Sequence, residues 1–202
     1  MAAPESIQRA LVRFWNDPYS RAPGNYVGTG VFIARRRILT AAHLLAHQPL
    51  WAEPRFSGQA FPLQSDTVRR HPKHDVAVVD IDVIPDDAAA IPLDPSTRRA
   101  DLSAGEVTIS GFWEALDEHY PVTVLAYAED LAAFTIEPKH PRGHSGSAVC
   151  HRGRVWAIAS GHFADPNVSR GKVIAIQQVW DAWLDALVGT DQAAPAELAE
   201  AV

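Results

Sequence analysis

Apolar positions between residues 26 and 176 come in short runs of strand length, broken by Gly, Pro and Asp, and not at the three- and four-residue spacing of helices. Gly28 to Ile33 and Ile38 to Thr40 flank Arg35, Arg36 and Arg37, the pattern of a β-hairpin with a basic turn. Further strands are predicted at 76–79, 107–112, 121–127, 132–136, 148–150, 155–160 and 173–176. The stretch 86–104, with Pro92 and Pro95, reads as a connection between two β units. Helical spacing is confined to the ends. Ile7, Ala10, Leu11, Phe14 and Trp15 follow Pro4-Glu5-Ser6 and predict a short amphipathic helix packed on the β core. With only Arg9 and Arg13 as cations, that helix is a poor membrane-surface element. Val179, Trp180, Trp183, Leu184, Leu187 and Val188 predict a second helix over 178–188, followed by a frayed tail.

Composition bounds this picture. A chain of 202 residues, 47% hydrophobic and 21% charged, can bury the core of one folded domain. The net charge of -6 argues against a nucleic-acid footprint, and Arg35 to Arg37 and Arg69-Arg70 are read as solvated turns. Cys150 is the sole cysteine, so no intramolecular disulfide can form, which favours a reducing, cytoplasmic setting. Residues 1–15 lack a basic start followed by a continuous apolar stretch, and no apolar run reaches about 18 residues, so neither a signal peptide nor a membrane span is expected.

Three segments carry chemistry. They are Thr40-Ala41-Ala42-His43, then His74-Asp75-Val76-Ala77-Val78-Val79, then Arg142-Gly143-His144-Ser145-Gly146-Ser147. A serine hydroxyl is a poor nucleophile at neutral pH; it needs an imidazole to take its proton and a carboxylate to hold that imidazole in the right tautomer. Asp75 opens an apolar strand, a setting partly desolvated yet able to accept hydrogen bonds, whereas Asp80 and Asp82 lie at the strand exit, where solvated turns prevail. Gly143 and Gly146 permit positive φ and close backbone approach around Ser145.

The three segments, in the order His, Asp, Ser, resemble the trypsin-like, chymotrypsin-fold serine peptidases over residues 26–187. In pattern they are most similar to the bacterial glutamyl endopeptidases and Deg-type members. The resemblance implies an all-β fold of two six-stranded antiparallel β-barrels with short N-terminal and C-terminal helices. The first barrel would occupy 24–92, the second 104–176, and the last helix 178–188. It implies catalytic His43, Asp75 and Ser145, with the N–H groups of Gly143 and Ser145 as the oxyanion hole. It places Lys139, His140 and Arg142 on one side of the substrate pocket and Ala159, Ser160 and Gly161 on the other. In secreted trypsins the residue before the nucleophile is an Asp that pairs with a freshly cut N-terminus; His144 stands there in this chain. No acidic residue stands at the pocket base, so an acidic or small polar side chain before the cut is expected in place of Lys or Arg.

No cofactor and no metal are expected. The pairs His71 and His74, His140 and His144, His151 and His162 lack a zinc-binding arrangement such as His-Glu-x-x-His. The expected activity is that of a serine endopeptidase working through an acyl-enzyme, in intracellular processing, regulation or bacterial defence signalling. Its expected partners are a protein or peptide substrate and a regulatory or defence-system protein, with no nucleic acid and no membrane. The alternative is a catalytically silent member of the fold that binds peptides or serves as a scaffold.

Overall fold

The computed structural model describes residues 3–20, 22–46, 50–82, 88–103, 105–113, 116–129, 132–141, 143–162 and 170–188. Fourteen strands form two antiparallel sheets of seven. The first comprises β1 (Leu11–Trp15), β2 (Tyr26–Ala34), β3 (Arg37–Thr40), β4 (Trp51–Pro54), β5 (Phe61–Pro62), β6 (Val68–Arg70) and β7 (Ala77–Asp80). Their spatial order is β5-β4-β1-β2-β3-β7-β6. The second comprises β8 (Val107–Trp113), β9 (Leu116–Pro121), β10 (Thr123–Ala128), β11 (Ala133–Glu137), β12 (Ala148–His151), β13 (Arg154–His162) and β14 (Gly171–Ala175). There the order is β10-β11-β14-β13-β12-β8-β9. Each sheet curls on itself, giving the chymotrypsin-like double barrel.

The expected helix at the N-terminus holds only for α1 (Glu5–Ala10); Leu11–Trp15 is a strand. The first barrel therefore begins well before residue 24. Leu11, Val12, Phe14 and Trp15 are buried on both faces of β1, which lies between β2 and β4. A helix presents one apolar stripe, whereas a central strand can bury consecutive residues on opposite faces. Each of these large side chains stabilises the fold by about 1.5–3 kcal/mol when fully buried. In the second barrel the expected strand 121–127 is β10, at Thr123–Ala128, and β9 at Leu116–Pro121 is a further strand before it. Between β9 and β10 the Val122 N–H donates to the Val107 carbonyl at 2.9 Å.

The main hydrophobic cluster crosses the seam between barrels, joining Ile38, Leu39 and Val78 to Ala148, Ile158 and Ile174. A second cluster around Trp156, Ile109 and Val149 fills the C-terminal barrel. The connection between barrels is clipped to β13, where Leu93 bridges Val155. The C-terminal helical segment starts at Ile176: Ile176–Val179 (α2) and Asp185–Val188 (α3) flank a π-wound turn, Trp180–Leu184. Among the described residues no helix is long and apolar enough to cross a membrane.

Candidate active site

β3 ends at Thr40 and the chain enters a 3-10 turn, Ala42–Ala46, that presents His43 at the surface. Ala41, Leu44 and Leu45 are buried and pin the turn from below. β7 pairs with β3 in the register Thr40 to Ala77, which sets the segment before Ala77 beside the one after Thr40. Asp75 lies in that segment. Its Oδ1 accepts the His43 backbone N–H at 2.8 Å, and its Oδ2 lies 2.7 Å from His43 Nδ1. Ser160 Oγ also donates to Oδ2, at 2.7 Å. Burial pushes the Asp75 carboxyl up, but the hydrogen bonds and charge interaction with His43, and the Ser160 hydrogen bond, outweigh it and hold it below its ordinary 3.8. An ionised Asp75 accepts only, so Nδ1 of His43 carries a proton, and in the neutral imidazole the lone pair is then on Nε2.

The loop bearing Asp75 is organised by His71. The His71 N–H donates to the Val76 carbonyl at 2.8 Å, and its Nδ1 accepts the N–H groups of Lys73 and His74 at 3.2 and 3.1 Å. The ring of His71 also meets Trp183 edge-on, with centroids 4.9 Å apart. No group of three or more His, Cys, Asp or Glu side chains able to hold a metal forms among the described residues.

Ser145 lies between β11 and β12, where both barrels grip the backbone. Its carbonyl accepts the Thr29 N–H of β2 at 2.9 Å, and the next N–H, of Gly146, donates to the Ala159 carbonyl of β13 at 2.7 Å. Gly146 has φ +81, and a Cβ there would sit 1.9 Å from the Thr29 carbonyl oxygen. Only glycine fits. A Cβ on Gly28 would lie 2.6 Å from Leu44 and 2.9 Å from the Ser145 carbonyl oxygen, so the Ser145 loop and the residue after His43 meet across this glycine. No hydrogen bond joins Ser145 Oγ to His43 among the described residues. Gly143, at φ +93, offers its carbonyl to the hydroxyl of the half-buried Tyr26 at 2.9 Å. The N–H groups of Gly143 and Ser145 have no acceptor among the described residues.

The residues expected to line the substrate pocket divide. Gly161 is half-buried and marks a register shift between β13 and β14. Lys139 is half-buried, and Arg142 lies outside the described residues. Ala159 is fully buried with both backbone groups engaged, so it presents no surface to a substrate. His140 is also buried, its ring against Gly171. Ser160 is half-buried and directs its hydroxyl to Asp75, which makes it a support of the carboxylate. The expected preference for an acidic side chain thus rests, among the described residues, on Lys139.

Residues 28–158, well over half the chain, match the Trypsin-like peptidase domain family. The chain belongs to the trypsin-like peptidases. It is therefore a serine endopeptidase by family, a hydrolase acting on peptide bonds. No curated protein matches its sequence significantly. Among solved structures it is similar to the inactive form of a serine-to-alanine mutant of Rv3671c from M. tuberculosis H37Rv, at TM-score 0.66 and 18% identity, covering 93% of this chain and 90% of that one. Neuropsin, a serine protease expressed in the limbic system of mouse brain, matches at TM-score 0.68 and 15% identity over 93% of this chain and 97% of its own. Human heparin binding protein matches at TM-score 0.67 and 14% identity over 94% and 95%.

In this peptidase the residue before Ser145 is a fully buried histidine. Nε2 of His144 lies 3.1 Å from Glu118 Oε2 on β9, and Nδ1 lies 3.4 Å from Ser147 Oγ. Burial, with His140 nearby, pushes the His144 imidazole down to about 3, while burial pushes the Glu118 carboxyl up. His144 is therefore a neutral imidazole. Its folded-state value lies below the 6.5 of an unperturbed histidine, so the unfolded chain takes up that proton first. Stability contributed this way is lost as pH falls from 6.5 towards about 3. The urea midpoint of the protein is expected to fall across that window, and less steeply in His144→Gln; equal slopes would show that another group titrates there.

Proposed function

We propose that this peptidase cleaves peptide bonds through an acyl-enzyme on Ser145, with His43 as general base and acid and Asp75 as the carboxylate that orients it. Ser145 Oγ attacks the scissile carbonyl as its proton passes to His43 Nε2. The carbonyl oxygen becomes the oxyanion, received by the N–H groups of Gly143 and Ser145. The tetrahedral intermediate expels the amine, which takes the proton from His43, and water then releases the acid by the same steps in reverse roles. The substrate is a peptide or protein segment, and no cofactor takes part.

One observation carries this reading: Asp75 holds His43 through both its backbone N–H and Nδ1, at 2.8 and 2.7 Å, leaving Nε2 as the basic nitrogen. The N–H groups of Gly143 and Ser145, which have no acceptor among the described residues, support it. The fold by itself does not decide the matter, since a protein named for heparin binding shares it. Treatment of the purified protein with a fluorophosphonate, followed by peptide mapping, tests the reading. A single adduct on Ser145 is expected. No adduct, in protein shown to be folded, would leave the silent binding module as the better account.

A further inference from the structure

β9 links the first barrel to the nucleophile loop. It is the last strand of its sheet and pairs only with β8 among the described strands, so other contacts must fix its free side. Asp117 on β9 takes Arg55 and, at 3.4 Å, Arg13, both from the first barrel's side of the seam. Arg55 also takes Gln8 of α1, and Arg13 lies over the Phe112 ring of β8, 4.2 Å from its centroid. The next residue on β9, Glu118, reaches His144.

His144 is well placed to orient the oxyanion donors. Its neighbours Gly143 and Gly146 bracket the Ser145 segment at φ +93 and +81, and glycine resists rotation of the adjoining peptides least of all residues. His144 makes two backbone hydrogen bonds: its N–H donates to the Pro141 carbonyl at 3.3 Å, and its carbonyl accepts the Ser147 N–H at 2.8 Å. Its side chain, held at both nitrogens, adds an anchor from outside the loop and acts on the Cα that joins the 143–144 and 144–145 peptides. The Ser145 N–H belongs to the second of these.

We propose that Glu118 is a positioning residue for catalysis: by accepting a hydrogen bond from His144 Nε2–H it keeps the donors beside Ser145 aimed at the oxyanion. This rests on the peptidase reading above. The Glu118 carboxyl also lines a cavity of about 210 Å³ with Gln8, Leu11, Arg55 and His119, so its outer side stays open. An amide of the same shape fits there, and its oxygen accepts the same hydrogen bond.

The test compares wild type, Glu118→Gln and Glu118→Leu on a peptide substrate and in fluorophosphonate labelling. Glu118→Leu keeps the volume and removes the acceptor. Its kcat is expected to fall by about 10- to 100-fold with KM changed less than about threefold, the pattern of a lost transition-state interaction. Glu118→Gln is expected to stay within about threefold of wild type. Equal kcat for Glu118→Leu and wild type, or an equal loss in both variants, would overturn the proposal. If Glu118→Leu does not fold, Arg55→Met carries the test, since it removes the tighter of the two cations that hold Asp117 and β9, leaving only Arg13 at 3.4 Å, without touching either partner of His144. Its labelling rate is expected to drop several-fold, and an unchanged rate would overturn the proposal. Failure of the wild type itself to label counts against the peptidase mechanism and is read separately.

Discussion

Ser145→Ala is expected to lower kcat by about 10⁶-fold, the loss seen when a triad nucleophile is removed. The fold should not notice. Ser145 Oγ makes no hydrogen bond to His43 in the resting site, so truncation leaves no buried partner unsatisfied. The contacts that hold the loop are backbone ones, from Thr29 to the Ser145 carbonyl and from Gly146 to Ala159, and alanine keeps them. Substrate binding should survive too, because the oxyanion donors beside position 145 are main-chain groups. The expected result is therefore an unchanged unfolding midpoint, near-unchanged affinity for a substrate peptide, and no turnover or covalent adduct. Measured turnover above about one hundredth of wild type in purified Ser145→Ala would assign the nucleophile elsewhere.

The segments around His43, Asp75 and Ser145 were legible because each combines a reactive side chain with local features that its geometry requires. Gly146 is such a feature: its positive φ and its approach to Thr29 leave room for no side chain, so the sequence pattern and the structural demand coincide. The strands flanking these segments were legible from their apolar runs. Residues 11–15 were not, because Leu11, Phe14 and Trp15 satisfy helical spacing and strand burial equally. The choice was made by pairing with β2 and β4, which no local pattern reveals. β9 was missed for the opposite reason. Leu116, Asp117, Glu118 and His119 carry no apolar alternation, since an edge strand needs little burial and is defined by its ladder to β8.

Long-range polar partners were the least legible. Ser160 stands 85 residues from the carboxylate it serves, and Glu118 stands 26 residues from His144. Side-chain hydrogen bonds of that kind have no period and no spacing rule. His71 offered a weak signal in its pairing with His74, which sequence reasoning weighed as a metal pair. Its actual role, accepting two N–H groups to shape the turn before Asp75, leaves Nδ1 unavailable to a metal. Cys150 likewise turns out to be a core residue, its thiol pushed up to about 12 by burial.

Asp75→Asn is the sharpest probe of the carboxylate, with kcat expected to fall by about 10⁴-fold. Three donors converge on Asp75: the His43 backbone N–H on Oδ1, and His43 Nδ1 and Ser160 Oγ on Oδ2. An asparagine has one acceptor oxygen. If that oxygen keeps the backbone N–H, the amide NH2 faces Nδ1 and donates to it, and the proton moves to Nε2. The imidazole can then no longer take the Ser145 proton. If the amide turns over, its NH2 meets the backbone N–H of His43, a donor that cannot turn away, whereas a ring nitrogen can shift its proton, so the first arrangement prevails. Acid behaviour offers a second readout. Asp75 has a folded-state value below 3.8, so it is ionised throughout the neutral range, and the stability it contributes is lost only as pH falls below 3.8. Asp75→Asn should accordingly flatten the stability profile below that pH while changing turnover at every pH. A variant whose kcat stays within about tenfold of wild type would show that His43 does not depend on this carboxylate for its tautomer.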